Sequence, residues 1–418
     1  MMIVFKFGGA SVSSAKAIDN LAGILSAYNE KIVVVISAFG KMTNALEALL
    51  AAWFDNSPER FSRFISIKEY HSEIIRELFS NSDHQVYEVF TRLTALIEKK
   101  IADPPSCDYD YEYDQLVSFG EILSTKIISL YLESKGIRNN WVDARKWLIT
   151  DGTFREANVD FELTGENLRE LIKNDDADIL LTQGFIGGTV DGATTTLGRE
   201  GSDYTASIAA NLTDAESMVV WKDVPGILTA DPFYFPDAQK LDELSYQEAI
   251  ELSFYGAKVI HPKTIKPLQN KSIPLLVKSF ADPAASGTII HGGDQPAVDK
   301  PILIVKREQL LISLTPRDFS FIVEECLSRI FFLFFKYRMK VNLIQHSAIS
   351  ITICLDNNGP FVENLLNEIK NDFRVLYNKG LELITIRHYD TEVIQRYTSK
   401  REVLVEQRSR NTVMYVVR

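Results

Sequence analysis

IVFKFGGASVSSAKAIDNLAGILSAYNEKIVVVIS, residues 3–37, reads as one β-α-β unit. The apolar run at residues 3–7 is punctuated by Gly8 and Gly9, and Ser11, Ser13 and Ser14 are candidate helix caps. Ile18, Leu21, Leu25 and Tyr28 then recur at three- and four-residue steps, the period of one helix face. Ile32, Val33, Val34, Val35 and Ile36 are all β-branched, which suits a central parallel strand buried on both sides.

The same alternation continues outward from this unit. Residues 59–101 carry helical patterning ended by Asp103, Pro104 and Pro105, a helical excursion from the sheet. A helix near 113–135 precedes a strand at 140–143, and further strands are expected at 177–185, 217–223, 273–279 and 287–291. Alternating elements of this kind predict an α/β domain over 1–295, an open, mostly parallel sheet between two helical layers. Gly292, Gly293, Asp294 and Pro296 mark a linker. Beyond it the texture changes to short elements: QLLISLT, a helix around 319–338, KVNLIQH and SITICLD. LELITIRH, a helix near 391–399, REVLVEQ and TVMYVVR repeat that series loosely. Two small α+β units follow from this, at 301–378 and, shortened, at 379–418.

Composition narrows the function classes. The 418 residues hold 45 basic and 56 acidic side chains, a net charge of −11, with no dense basic cluster to meet nucleic acid. No stretch approaches the ~20 apolar residues of a membrane helix, and the N-terminus lacks the pattern of a signal peptide. Cys107, Cys326 and Cys354 are far apart, with no CxxC or HExxH, so neither a zinc site nor a disulfide framework is expected. That usage fits a reducing cytoplasm.

Four loops carry candidate chemistry. In KFGGASV, Gly8 and Gly9 between strand and helix let backbone N–H groups approach a phosphate, and Lys6 reaches the same space. Ser37, Gly40, Thr43 and Asn44 follow the second strand, where open α/β sheets bind ligands, although they also suit an ordinary capped turn. In FIGGTVDGATTTLGREGSDYTA, 185–206, a hairpin leads to Arg199, Gly201, Ser202 and Asp203 before a helix, a setting for gripping a carboxylate. Lys222 and Asp223 lie just past a strand and Lys258 follows Gly256, while Glu121 sits on an amphipathic helix. Each of these charges also fits a solvated surface position.

In combination these segments go further. KFGGASV, the Ser37–Asn44 segment, VSFGEILS, TQGFIG, TTTLGREGSDYTA, WKDVPGILTADP and FYGAKVIHP resemble the successive signatures of the aspartate kinase family, in order, across residues 1–291. The C-terminal pair of units looks like that family's tandem ACT regulatory domains. The resemblance implies an amino-acid kinase fold and ATP-dependent phosphorylation of the L-aspartate side chain to 4-phospho-L-aspartate. That is the first step of lysine, threonine and methionine biosynthesis, with Mg²⁺ carried on the nucleotide and no metal site of the protein's own.

It also implies roles for individual residues. Lys6, Phe7, Gly8 and Gly9 would hold the transferring phosphoryl group, with Ser37 and Ala38 alongside, and Asp203 would position the lysines and phosphates. Thr43, Glu121, Arg199, Glu200, Gly201 and Ser202 would hold L-aspartate. Lys222, Asp223, Leu228, Phe233, Lys258 and Val259 would line the nucleotide pocket. In the regulatory half, Asn342, Gln345 and Ser347 fall on the effector-loop segment, and the ACT-like units imply at least a homodimer in the cytoplasm. Departures from the pattern are Ala10 for threonine, Glu200 for glycine, Phe233 for arginine, and Asn342 and Ala348 for two acidic residues. The alternatives are a glutamate-type kinase of the same superfamily, which would be expected to lack VSFGE and GREGSDYT, and a catalytically weak amino-acid sensor.

Overall fold

A computed structural model describes residues 2–257, 260–293, 300–318, 320–357 and 359–418. The chain forms two compact units, one of Met1–Ile227, Lys240–Ile250 and Ile260–Pro296, the other of Leu228–Gln239, Glu251–Val259 and Ala297–Arg418.

The elements up to the middle of the chain are β1 (Met2–Phe7), α1 (Ala15–Ser26), β2 (Lys31–Ile36), α2 (Met42–Phe54), α3 (Glu59–Leu78), α4 (Gln85–Ala102), α5 (Tyr109–Val117), α6 (Phe119–Ser134), β3 (Asn139–Val142), α7 (Ala144–Trp147), α8 (Phe161–Lys173) and β4 (Ile179–Gln183). There follow β5 (Ile186–Gly188), β6 (Thr194–Thr196), α9 (Gly201–Leu212), β7 (Ser217–Lys222), β8 (Glu243–Ser245), α10 (Tyr246–Tyr255), α11 (Pro262–Asn270), β9 (Leu275–Ser279) and β10 (Thr288–His291).

Eight strands make one sheet in the order β3-β4-β2-β1-β7-β9-β10-β8, parallel throughout except between β9 and β10. All five β-branched residues of β2 are buried, as a strand covered on both faces requires. Strand order reverses between β1 and β7, so the C-terminal ends of β1, β2 and β7 open onto the crevice where such sheets bind ligands. Ser14 caps α1 by accepting from Ala17 N–H at 3.3 Å. The stretch expected as one helix at 113–135 is two, α5 and α6, joined at Ser118. The helical excursion expected at 59–101 is formed by α3 and α4. Its apolar stripes, Phe64, Ile67 and Ile74 on α3 and Val86, Phe90 and Ile97 on α4, join the core around β1 and β2.

The second unit contains β11 (Ile302–Pro316), α12 (Glu324–Lys336), β12 (Val341–His346), β13 (Ile351–Asp356), α13 (Pro360–Ile369), β14 (Phe373–Arg387), α14 (Thr391–Thr398), β15 (Val403–Arg408) and β16 (Thr412–Val417). These six strands form one antiparallel sheet ordered β12-β13-β11-β14-β16-β15. β11 and β14 run side by side through both halves of it, with register shifts between Lys306 and Leu311. The boundary expected at 378/379 therefore falls inside β14, and Ile302–Lys306 supplies a strand to the later half. The helix expected at 319–338 is described from Glu324 on, with Val323 extended before it and Ile322 N–H donating to the Ala348 carbonyl at 2.8 Å instead of to a helical carbonyl. α13 was not expected, although buried Val362, Leu365, Leu366 and Ile369 follow a helical period.

Candidate active site

Lys6 stands on β1 with Val35 of β2 on one side and Val220 of β7 on the other. Its ammonium makes an ion pair with Asp203, in the first turn of α9. Asp203 is 1% exposed, and apart from Lys6 no hydrogen-bond donor among the described residues reaches its oxygens. Burial pushes this carboxyl up, but the charges of Lys6 and Lys222 outweigh that and hold it below the ordinary range. Lys222 ends β7, the strand next to β1, and burial pulls its ammonium down while Asp203 supports it. Two lysines and one ionised carboxylate thus share a low-dielectric pocket at the C-terminal ends of neighbouring strands. Asp223, the next residue, is exposed.

Two backbone loops close over the same strand ends. Gly40 N–H donates to the Gly9 carbonyl at 3.0 Å, and Ser37 N–H to the Phe7 carbonyl at 3.2 Å. A side chain on Gly9 would meet the Gly40 oxygen at 2.6 Å and the Ala38 oxygen at 2.9 Å, so only glycine allows this approach. The Phe7 ring stacks on Trp221 within the core rather than lining the crevice. Ala10, at the departure from the family pattern, is exposed.

Glu121 lies on α6, whose residues 120–132 are buried almost without interruption, so the helix is central rather than amphipathic. The Glu121 carboxyl is 2% exposed, accepts one bond from Ala38 N–H at 3.3 Å, and leaves Oε2 without a partner. Burial lifts it to about 8, offset only in part by that bond. Thr43, in the first turn of α2, is half-buried. Arg199 and Glu200 are exposed at the mouth of α9, and Glu200 adopts a left-handed backbone, φ +56°. Gly201 sits where a Cβ would meet the Phe185 ring at 2.8 Å, and Ser202 packs so closely that a Cβ on Gly184 would meet its own Cβ at 2.5 Å.

The remaining expected residues lie elsewhere. Leu228 and Phe233 belong to the 228–239 segment of the second unit, with Phe233 exposed and its ring edge on Tyr234. Lys258 and Val259 fall outside the described residues. Asn342 on β12 is tied into the sheet: it accepts from Lys306 at 2.8 Å and donates to Gln309 at 2.8 Å and to Asp356 at 2.7 Å. Gln345 and Ser347 are exposed, Ser347 N–H closing a turn on the Ser350 carbonyl.

The residues that shape the site without being singled out in the sequence are Asp114, Lys263 and His261. Asp114 on α5 is fully buried and accepts from Thr196 N–H at 2.8 Å, Thr196 Oγ1 at 2.6 Å and Arg155 N–H at 3.0 Å. It thereby anchors the β5–β6 hairpin that feeds Arg199 and Ser202. Lys263 donates to the Leu197 carbonyl at 3.2 Å and lies over the Tyr204 ring, holding the same loop from α11. His261 caps α11, its Nδ1 accepting from Lys263 N–H at 3.2 Å. Its place before Pro262 was a legible cap signal. Among the described residues, no group of three or more His, Cys, Asp or Glu could hold a metal ion.

A parallel sheet with glycine loops and a buried lysine–carboxylate pair at its carboxyl edge defines a phosphoryl-transfer protein of the amino acid kinase family, whose model matches residues 1–279. The chain is 32% identical over 396 residues to lysine-sensitive aspartokinase 3 of Escherichia coli, 92% of this chain and 86% of that one. The crystal structure of Escherichia coli aspartokinase III with lysine and aspartate superposes with a TM-score of 0.84 at 30% identity, covering 100% of this chain and 96% of that chain. Its complex with aspartate and ADP gives 0.81 at 29% identity, with the same coverage. Within the amino acid kinase family, this chain belongs to the aspartokinases.

Proposed function

We propose that the protein transfers the γ-phosphoryl group of ATP to the side-chain carboxylate of L-aspartate, giving 4-phospho-L-aspartate and ADP. The observation that carries this reading is the buried Lys6–Asp203 pair beside Lys222 and the Gly8–Gly9 loop, with Glu121 on α6 bonded to Ala38 through one oxygen and leaving Oε2 without a partner. The aspartate and ADP bound by the Escherichia coli relative support the same pair of substrates.

The chemistry follows from charge. An aspartate side chain, with an ordinary pKa of ~3.9, is ionised at neutral pH and needs no general base. One carboxylate oxygen attacks the γ-phosphorus while the bond to the β–γ bridging oxygen breaks, its electron pair leaving with ADP. Bringing two anions together is the difficulty. Lys6 and the glycine-loop amides stabilise charge on the transferring group, each such preorganised donor typically contributing ~3–4 kcal/mol. Asp203 holds Lys6 in place through their ion pair and supports the charge of Lys222. Glu121 takes the substrate's α-ammonium and Arg199 its α-carboxylate, leaving the side chain directed at the nucleotide. Thr43 and Ser202 complete the aspartate site, and Lys222 and Asp223, at and just past the end of β7, stand on the nucleotide side.

Magnesium fits as a companion of the nucleotide. Asp203 is an ionised, buried carboxylate that among the described residues has no donor other than Lys6, and no ready-made cluster among them would hold the ion alone. When bound, the cation neutralises phosphate charge.

The second unit supports regulation and assembly as a homodimer. Phe331, Phe332 and Phe335 of α12 are exposed, and β12 is an edge strand of the sheet. Because Asn342 is committed to internal hydrogen bonds and Ala348 offers no carboxylate, we infer that lysine inhibits this enzyme weakly or not at all. The test of the activity is ADP release with L-aspartate, L-glutamate or no acceptor. Release that depends on L-aspartate is expected, and release equal in all three would overturn the reading.

A further inference from the structure

The phosphate-side loops do not stand on the sheet alone. The Gly8–Ser14 loop and the Phe39–Lys41 loop meet through Gly40 N–H and the Gly9 carbonyl, and the helical excursion braces that junction from outside. Tyr70, on α3, donates its hydroxyl to the Ser13 carbonyl at 2.8 Å. The same hydroxyl lies 2.8 Å from where a Cβ on Gly40 would stand, and Gly40 has φ +53°. On the next residue, His71 is fully buried, donates Nδ1–H to the Ile67 carbonyl at 2.8 Å and packs its ring 5.5 Å from that of Phe39. One turn of α3 thus touches both loops where they join.

We propose that Tyr70 is a positioning residue for phosphoryl transfer: its hydroxyl fixes the Gly8–Ser14 loop against the Phe39–Lys41 loop. The proposal rests on the reading of Gly8 and Gly9 as phosphoryl-binding. Ser13 lies near the far end of the loop that begins at Gly8, and the bond from Gly40 N–H sets the other loop's height over Gly9. A hydroxyl bonded to one loop and filling the space beside Gly40 in the other resists sliding between them. Loop amides acting on a developing charge must be held within fractions of an ångström, and a displacement of about 1 Å can cost ~10²-fold in rate. The excursion is therefore part of the site's rigidity and more than a cover for the sheet.

Tyr70→Phe keeps the ring and removes only the hydroxyl. The expected result is a kcat lowered about tenfold, with KM for ATP and for aspartate within about threefold of wild type and a melting temperature within a few degrees. Hydrogen exchange at the Gly40 and Ser11 amides should be about tenfold faster, while β2 and α1 exchange as before. A kcat within twofold of wild type, or a loss that disappears when the assay is cooled well below the melting temperature, would overturn the proposal. So would unchanged exchange at both amides. Because exchange needs no substrate, it decides the role of Tyr70 even if wild-type protein failed to phosphorylate aspartate, a result that would strike only the functional reading. A double-mutant cycle with Gly40→Ala is expected to be non-additive, since removing the hydroxyl opens the space the new methyl needs. Additive effects would count against the contact.

Discussion

Lys6 and Asp203 meet as a buried ion pair between the C-terminal end of β1 and the first turn of α9. Lys6→Ala is expected to lower kcat ~10²-fold or more with a smaller change in KM, as for a charge used in the transition state. It should also destabilise the fold by ~3 kcal/mol, because Asp203 loses its only hydrogen-bond donor among the described residues. Steady-state kinetics with less than a threefold loss in kcat would remove Lys6 from the mechanism.

Glu121 makes stability and substrate binding respond to pH in opposite senses. Burial lifts its carboxyl to about 8 from an ordinary 4.5, so above pH 4.5 the folded chain keeps a proton that the unfolded chain releases. Stability from this group is full below pH 4.5 and falls as pH rises towards 8, by up to ~1.4 kcal/mol per pH unit. Glu121→Gln should abolish that slope, gaining on wild type at pH 8 relative to pH 5 in thermal melts; parallel curves would contradict it. Conversely, an ammonium partner needs the ionised form, so KM for aspartate should fall as pH rises from about 6 to 8.

Glu200 occupies a left-handed backbone position at the N-cap of α9. Glu200→Gly should stabilise the protein by ~0.5–1 kcal/mol by relieving the backbone cost of a side chain there. A melting temperature that falls would show that the Glu200 side chain makes a compensating interaction. A raised KM for aspartate in the same variant would mark that interaction as substrate binding.

Arg199 is exposed at the same loop, free to meet a substrate carboxylate. Arg199→Ala is expected to raise KM for aspartate more than tenfold while ATP binding, read by calorimetry, stays within about twofold. Loss of ATP affinity with aspartate affinity kept would reverse the assignment.

Asn342 donates to Asp356 at 2.7 Å, so Asn342→Asp would set two carboxylates against each other beside Lys306. The variant should lose ~1–3 kcal/mol in denaturant unfolding and gain no inhibition by millimolar lysine. Strong lysine inhibition of either protein would refute the regulatory reading.

Much of the fold was legible because its signals are local. The β-branched run of β2, the glycines after β1 and the Ser14 cap report conformational preferences that neighbouring residues impose on one another. The motif loops were legible for the same reason, since close backbone approach demands glycine wherever it occurs. What local pattern could not report was how far an element is covered. On a helical wheel Glu121 looks like a solvated charge, and only the packing of α6 on nearly every side turns it into a buried acid with an unpartnered oxygen.

By itself, the sequence determined the alternation of strands and helices, the positions of the loops and the residue types that they present. The tertiary structure alone decided which of those residues meet. Lys6 finds Asp203, Tyr70 reaches Ser13, and Asn342 is drawn into the sheet by Lys306 and Asp356. It also decided that β11 and β14 run through both halves of one sheet instead of ending between two units. The physical reason is range: periodicity, capping and turn chemistry act within a few residues along the chain. Pairing of buried charges and strand edges is selected by the packing of whole faces, where an unpaired charge or strand edge costs more than any local preference contributes.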